Sequence, residues 1–319
     1  MTSTDVMVLC AGLGTRLRPL TLERPKPSVP LLNRPLVSAI FRPVRTLGAR
    51  RVIVNTHYLP DVMAAVAREE AQQAGLELAI SRETVLLGTG GGPWFARARN
   101  LLQAGRHLMV LNGDVLSDAD LRALMTRHLE TGAAATMVLR DMPPGAGYTP
   151  IEVDESGRIR RIGSHGRPTG GAPHLFTGAH VLSPDALDLL PSGESSIITA
   201  VYAPLLQRGA VIQSVKDARV WLDLGDPRGY LEAHLALLRG QVPADSLPRL
   251  GLAEARPVSP DAVVATSATL EETTIGARAQ GGVGAGVGRC HGWADSLVPA
   301  RSKLHRCVVT PRGVYQVEG

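Results

Sequence analysis

Residues 10–30 read Cys-Ala-Gly-Leu-Gly-Thr-Arg-Leu-Arg-Pro-Leu-Thr-Leu-Glu-Arg-Pro-Lys-Pro-Ser-Val-Pro. An apolar run at residues 6–9 ends in this small-residue loop, so Gly12 and Gly14 follow a strand-like segment. Glycines let backbone N–H groups approach a phosphate, while Arg16, Arg18 and Lys26 supply positive charge beside it. The prolines at 25 and 27 restrict the backbone around Lys26 and deliver its ammonium to a fixed place. Of 34 basic residues only three are lysines, at 26, 216 and 303. In so arginine-rich a chain, a compact point charge at position 26 favours a chemical role over a generic one. The pattern suits a polyphosphate site that both binds and reacts.

Neither common phosphate fingerprint fits. Leu17 stands where a dinucleotide motif would place its third glycine, and no Gly-Lys-Ser/Thr follows as in a Walker loop. The added Arg16 and Pro25-Lys26-Pro27 distinguish the segment.

The elements that must position this loop alternate. Apolar runs at 6–9, 51–55, 78–81, 108–111 and 134–139 predict strands, separated by amphipathic stretches at 35–47, 60–74, 92–103 and 118–131 that predict helices. Such alternation implies βαβ units, a mostly parallel sheet with helices on both faces, and ligands beyond the carboxyl ends of the strands. Asn112-Gly113-Asp114 follows the fourth strand at that same edge. Residues 151–153 and 158–162 flank Asp-Glu-Ser-Gly as a hairpin, and residues 175–182 form a further strand. Ser183-Pro184 and Asp226-Pro227 open helices at 184–190 and 227–239, with another over 196–208. Residues 240–257 read as a linker. Beyond them Val258, Val264 and Leu270, then Val298 and Leu304, recur every sixth residue, which predicts about three coils of a parallel β-helix over 258–319.

Composition excludes other classes. The net charge of +5 is dispersed and aromatics are 3% of the chain, so nothing points to nucleic acid. No apolar run approaches the ~18–20 residues of a membrane span, and the first residues lack a signal-peptide pattern. Cys10, Cys290 and Cys307 have no metal-ligand spacing, which is consistent with a reduced, cytoplasmic setting.

Several motifs in order resemble one family. The loop at 10–30 is similar to the N-terminal motif of the sugar-1-phosphate nucleotidyltransferases. Leu87-Gly88-Thr89-Gly90-Gly91-Gly92, Asn112-Gly113-Asp114, Phe176-Thr177-Gly178 and Trp221-Leu222-Asp223-Leu224-Gly225 continue the match across residues 5–239. The resemblance implies a Rossmann-like catalytic domain over 1–239 that condenses an NTP with a sugar 1-phosphate, with Mg²⁺ as cofactor. It implies that Arg16 and Lys26 are catalytic and that Ala11, Gly12, Leu13, Gly14, Thr15, Gly88 and Thr89 bind the nucleotide. It further implies sugar contacts from Glu83, Asn112, Thr177 and Gly178, and metal ligands at Asp114 and Asp223.

The tail resembles the left-handed β-helix of mannose-1-phosphate guanylyltransferases, the best match for function, with homo-oligomerisation through that tail expected. Its removal is expected to change assembly more than chemistry. The triple glycine, and the lack of a Glu-Lys-Pro before residue 176, resemble muramate- and heptose-phosphate nucleotidyltransferases instead. Arg167 is the candidate substitute for that lysine. A catalytically silent relative is the other alternative, against which stands the full set Arg16, Lys26, Asp114 and Asp223.

Overall fold

The strand Thr4–Leu9 pairs in parallel with Arg51–Thr56 on one side and His107–Asn112 on the other, and Glu77–Arg82 extends the sheet beyond Arg51–Thr56. This is a computed structural model, and it describes residues 4–145, 147–217 and 219–318. Consecutive residues Asp5 to Val8 are all buried, the signature of a parallel strand covered on both faces. His174–Leu182 runs antiparallel to both His107–Asn112 and Ala135–Asp141, and Ile212–Lys216 adds in parallel to the latter. The ten-stranded sheet is completed by the antiparallel strands Ile151–Val153, Ile159–Ile162 and His165–Gly166. Met7, Leu108, Val110, Met137, Leu182 and Tyr202 lie in its core.

Two helices begin where their caps predict them. Asp226 accepts from the Gly229 N–H at 2.8 Å and opens Pro227–Leu238, while Ser183 caps Pro184–Leu187 through the Ala186 N–H. Asp120 caps Leu121–Thr131, three residues later than expected, because Asp118 precedes the cap rather than entering the helix. The helix over 196–208 is a π-helical turn, Ile198–Tyr202, continued by Ala203–Gln207.

The largest departure is the glycine run. Residues 88–92 open the helix Gly88–Ala98, which starts four residues before and ends five residues before the predicted 92–103. The reason is close packing. A Cβ on Gly91 would lie 2.2 Å from the Gly193 carbonyl oxygen, and the Gly90 N–H donates to the Ser195 carbonyl at 2.8 Å. Only glycine lets these backbones meet.

The chain divides into two compact units. One comprises the chain to Leu13, Ile40–Gly113 and Ser117–Trp221; the other comprises Gly14–Ala39, Asp114–Leu116 and the chain from Leu222 onward. In the second unit, residues 240–257 include a short helix, Ser246–Arg249, and bury Leu250 and Leu252. The C-terminal strands form three rows of parallel pairs: Val263–Val264, Gln280–Gly281 and Leu297–Val298; Thr269–Glu271, Gly286–Gly288 and Lys303–His305; Thr274–Ile275, His291–Gly292 and Cys307–Thr310. The repeat is 17 residues, as in the contact of Thr274 with His291, not the 18 that an unbroken six-residue step requires. The step from the second row of strands to the third is a residue short, which is why the sixfold spacing lapses between Leu270 and Val298. Ala285, Val287, Cys290, Val298, Cys307 and Val309 fill the coil interior.

Candidate active site

Lys26 opens a 3₁₀ turn, Lys26–Ser28, entered from Pro25 in extended geometry. The turn is held from both ends: the Ser28 N–H and hydroxyl donate to the Pro25 carbonyl at 2.9 and 2.7 Å, and the Val37 N–H donates to the Pro27 carbonyl at 2.8 Å. The lysine side chain is only 5% exposed, yet its Nζ reaches Asp114 Oδ2 at 2.9 Å and Asp223 Oδ1 at 3.7 Å. The two carboxylate side chains are 39% and 19% exposed, so both remain in partial contact with solvent beside the buried ammonium. A Cβ on Gly225 would lie 3.0 Å from Arg16 Nη1 and 3.1 Å from Asp223 Oδ1, so the guanidinium and that carboxylate converge on one glycine. Upstream, Gly14 adopts φ +61°, and its carbonyl accepts the Thr21 hydroxyl at 2.8 Å. Thr15 and Arg16 are exposed, with Leu17 and Leu20 fully buried beneath them as anchors.

This group brings together two anions and two cations around one point. Among the described residues no cluster of three or more His, Cys, Asp or Glu side chains could enclose a metal. Two partly exposed carboxylates are a hard, all-oxygen partial donor set. It fits a divalent cation that draws its other ligands from phosphates and water, and fits poorly a metal needing a full protein cage.

In the other unit, Asn55, near the end of the strand Arg51–Thr56, ties three segments together. Its Oδ1 accepts the Cys10 N–H at 2.8 Å, which fixes the exit of the first strand, and its Nδ2 donates to Glu83 Oε1 at 2.7 Å. Glu83 Oε2 accepts the Leu87 N–H at 3.2 Å, so both carboxylate oxygens are committed to the scaffold. Burial pushes the Glu83 carboxyl above its ordinary range, partly offset by these two donors. The Thr89 hydroxyl accepts the Ile197 N–H at 3.0 Å, and the Thr177 hydroxyl donates to the Val138 carbonyl at 3.0 Å. Gly178 has φ +94°, and a Cβ there would sit 2.7 Å from Asn112 Nδ2, so the two motif residues touch directly. Ala11 is buried, whereas Gly12 and Leu13 are exposed at the end of the first strand.

Two groups here escape sequence reading. Asn55 carries no motif around it, and its partners lie 45 and 28 residues away. Arg140 sits at the carboxyl end of Ala135–Asp141, where its guanidinium lies 5.5 Å over the Trp221 ring and Nη1 donates to the Trp221 carbonyl at 3.4 Å. Trp221 in turn donates its indole N–H to the Thr177 carbonyl at 3.0 Å and meets Tyr148 edge-on at 5.7 Å. Arg167 is exposed, and its N–H donates to the Arg160 carbonyl.

The sequence profile of the nucleotidyl transferase family matches residues 5–240. The chain belongs to this family. A mannose-1-phosphate guanylyltransferase of Mycobacterium tuberculosis is 33% identical over 247 residues, covering 76% of this chain and 67% of that protein. Mannose-1-phosphate guanylyltransferase 1 of Arabidopsis thaliana is 29% identical over 242 residues, covering 75% and 66%. The chain thus spans about two thirds of the length of these relatives. Among solved structures, HddC from Yersinia pseudotuberculosis superposes with a TM-score of 0.59 at 22% identity, covering 72% of this chain and 97% of that one, a likeness of fold. As a nucleotidyltransferase of the sugar-1-phosphate class, the chain carries its Arg16, Lys26, Asp114 and Asp223 in one compact unit. No described helix is long and apolar enough to cross a membrane.

Proposed function

We propose that this nucleotidyltransferase condenses GTP with mannose 1-phosphate to give GDP-mannose and pyrophosphate, in the cytoplasm and with Mg²⁺. The observation that carries the reading is the buried Lys26 ammonium between Asp114 and Asp223 with Arg16 alongside, in a chain about one third identical to a mannose-1-phosphate guanylyltransferase.

A phosphate oxygen of the sugar 1-phosphate forms a bond to the α-phosphorus as the bond from that phosphorus to the β-phosphate oxygen breaks. Two anions must meet, so the residues have to offset charge repulsion and fix alignment. The backbone of Ala11, Gly12, Leu13, Gly14 and Thr15 cradles the triphosphate. Arg16 offsets the charge developing on the departing pyrophosphate. Lys26, stripped of most of its hydration, holds an α-phosphate oxygen as its charge grows. Asp114 and Asp223 hold the Mg²⁺, which when bound adds positive charge against the phosphates.

Gly88 and Thr89 contact the nucleoside through their backbone, since the Thr89 hydroxyl is already engaged. Glu83 serves the sugar subsite through the segment it holds, while Asn112, Thr177 and Gly178 line it. Arg140, orientated over Trp221, supplies the cation for the sugar phosphate in place of the absent lysine, a role for which its ring-stacked guanidinium is better fixed than the exposed Arg167. The C-terminal coils wind as a left-handed β-helix.

Asp114→Asn and Asp223→Asn test the reading. Each is expected to lower kcat for pyrophosphate release by at least ~10² and to raise the Mg²⁺ concentration needed for half-maximal rate. Unchanged Mg²⁺ dependence in both variants would remove the metal assignment.

A further inference from the structure

The loop bearing Arg16 and Lys26 packs with the C-terminal part of the chain: Gly14–Ala39 and the residues from Leu222 onward form one compact unit. Both flanks of Lys26 are tied there. On the far side, Pro30 lies opposite Pro35 in a two-stranded pairing; the Leu36 N–H donates to the Val29 carbonyl at 2.9 Å, so the Pro30–Pro35 pair is the non-hydrogen-bonded one and the Pro30 carbonyl points out of the pairing. There it meets Tyr230, whose hydroxyl donates to that carbonyl at 2.5 Å and itself accepts the Trp293 indole N–H at 3.1 Å. Tyr230 and Trp293 are 0% and 3% exposed, so their hydroxyl and indole N–H pair with each other away from water. The Tyr230 ring is boxed edge-on by His234 at 4.7 Å and His291 at 5.6 Å. Further along, Asn33 Nδ2 donates to the Arg256 and Ile275 carbonyls at 2.9 and 3.0 Å. On the near side, Glu23 Oε1 accepts the Thr310 hydroxyl at 2.5 Å and the Tyr315 hydroxyl at 3.2 Å, and the Arg24 guanidinium lies 5.6 Å over the Trp293 ring.

We propose that Tyr230 and Trp293, with the Glu23–Thr310–Tyr315 contact, are positioning residues for nucleotidyl transfer: the C-terminal coils set the place of Lys26 within their own chain. This rests on the reading of Lys26 as the α-phosphate ligand. It reverses the expectation that the coils serve assembly more than chemistry. Residues 23, 24, 30 and 33 straddle position 26, so the lysine backbone is anchored from both directions, while its side chain crosses to Asp114 and Asp223. A cation that stabilises charge only as it develops loses much of its effect when displaced by an ångström, whereas substrate affinity, spread over many contacts, changes little.

The test uses the full chain carrying Tyr230→Phe or Glu23→Ala, each alone and combined with Lys26→Ala, assayed for pyrophosphate release with GTP and mannose 1-phosphate, or with whichever pair the chain turns over. Tyr230→Phe is expected to lower kcat by about tenfold with KM for the NTP within about twofold. In the Lys26→Ala background the same change is expected to cost nothing further, because there is no ammonium left to place. Glu23→Ala, at the solvent edge, is expected to behave alike to a smaller degree and decides the matter if Tyr230→Phe does not fold. Unchanged kcat in the folded variants, or a loss that persists fully without Lys26, overturns the proposal while leaving Lys26 its role. A Lys26→Ala enzyme with normal kcat overturns both.

Discussion

Replacing Lys26 with alanine should separate the two things this residue does. Its ammonium lies 2.9 Å from one carboxylate and 3.7 Å from another, at 5% exposure. Removing one partner of a fully buried ion pair costs about 3–5 kcal/mol, because the remaining charge is left uncompensated. Asp114 and Asp223 keep 39% and 19% of their side-chain surface in water, so solvent takes up part of that charge. The expected loss is then about 1–2 kcal/mol, equivalent to a fall in Tm of roughly 1.5–3 °C for a chain of this size. The chemical loss should be larger: at least ~10² in kcat, or about 2.7 kcal/mol of transition-state stabilisation.

The double variant Lys26→Ala with Asp114→Asn then tells the two apart. It removes the unpaired carboxylate repulsion and should regain about half of the lost stability, yet no activity. Thermal melts alongside steady-state pyrophosphate release measure both. A Lys26→Ala enzyme within about threefold of normal kcat would refute the chemical argument. A double variant no more stable than Lys26→Ala would refute the electrostatic one.

Two further outcomes are expected. Gly178→Ala forces a Cβ to within 2.7 Å of Asn112 Nδ2 at a φ of +94°, so it should raise KM for the sugar phosphate by about tenfold with little change for the NTP; equal effects on both substrates would argue against the sugar subsite. Burial lowers the pKa of His128 and His234 to about 4, that of His180 to about 3, and that of His291 well below the ordinary value. These imidazoles stay neutral in the folded chain, whereas the unfolded chain takes up protons below about pH 6.5, so stability falls as pH drops from there towards 4. Each should cost about 1 kcal/mol by pH 5.5, and a Tm that is flat between pH 7 and 5.5 would contradict this.

Much of the site was legible because its parts are contiguous in sequence. Arg16, Pro25-Lys26-Pro27 and Trp221-Leu222-Asp223-Leu224-Gly225 each carry residue type and local geometry together, and the parallel strands show as uninterrupted apolar runs. The features that escaped reading depend on partners far along the chain. The glycines at 88–92 look like a loop until the Ser195 backbone, more than a hundred residues away, is packed on them. Glu83 looks like a free acid until Asn55 and Leu87 take its oxygens. The sixfold apolar spacing hides the 17-residue repeat of the C-terminal strands, since one shortened step per repeat puts the apolar residues out of phase. The Tyr230 hydroxyl carries no signal in the sequence, because the Pro30 carbonyl it serves lies 200 residues away.

Measuring pyrophosphate release by the purified chain across a matrix of the four NTPs and a panel of sugar 1-phosphates tests the central claim most directly. Mg²⁺-dependent turnover that is fastest with GTP and mannose 1-phosphate, with GDP-mannose as the product, is the predicted result. Turnover with no pair, by a folded chain, would contradict the enzymatic reading, and a clear preference for another pair would contradict the assignment of substrate.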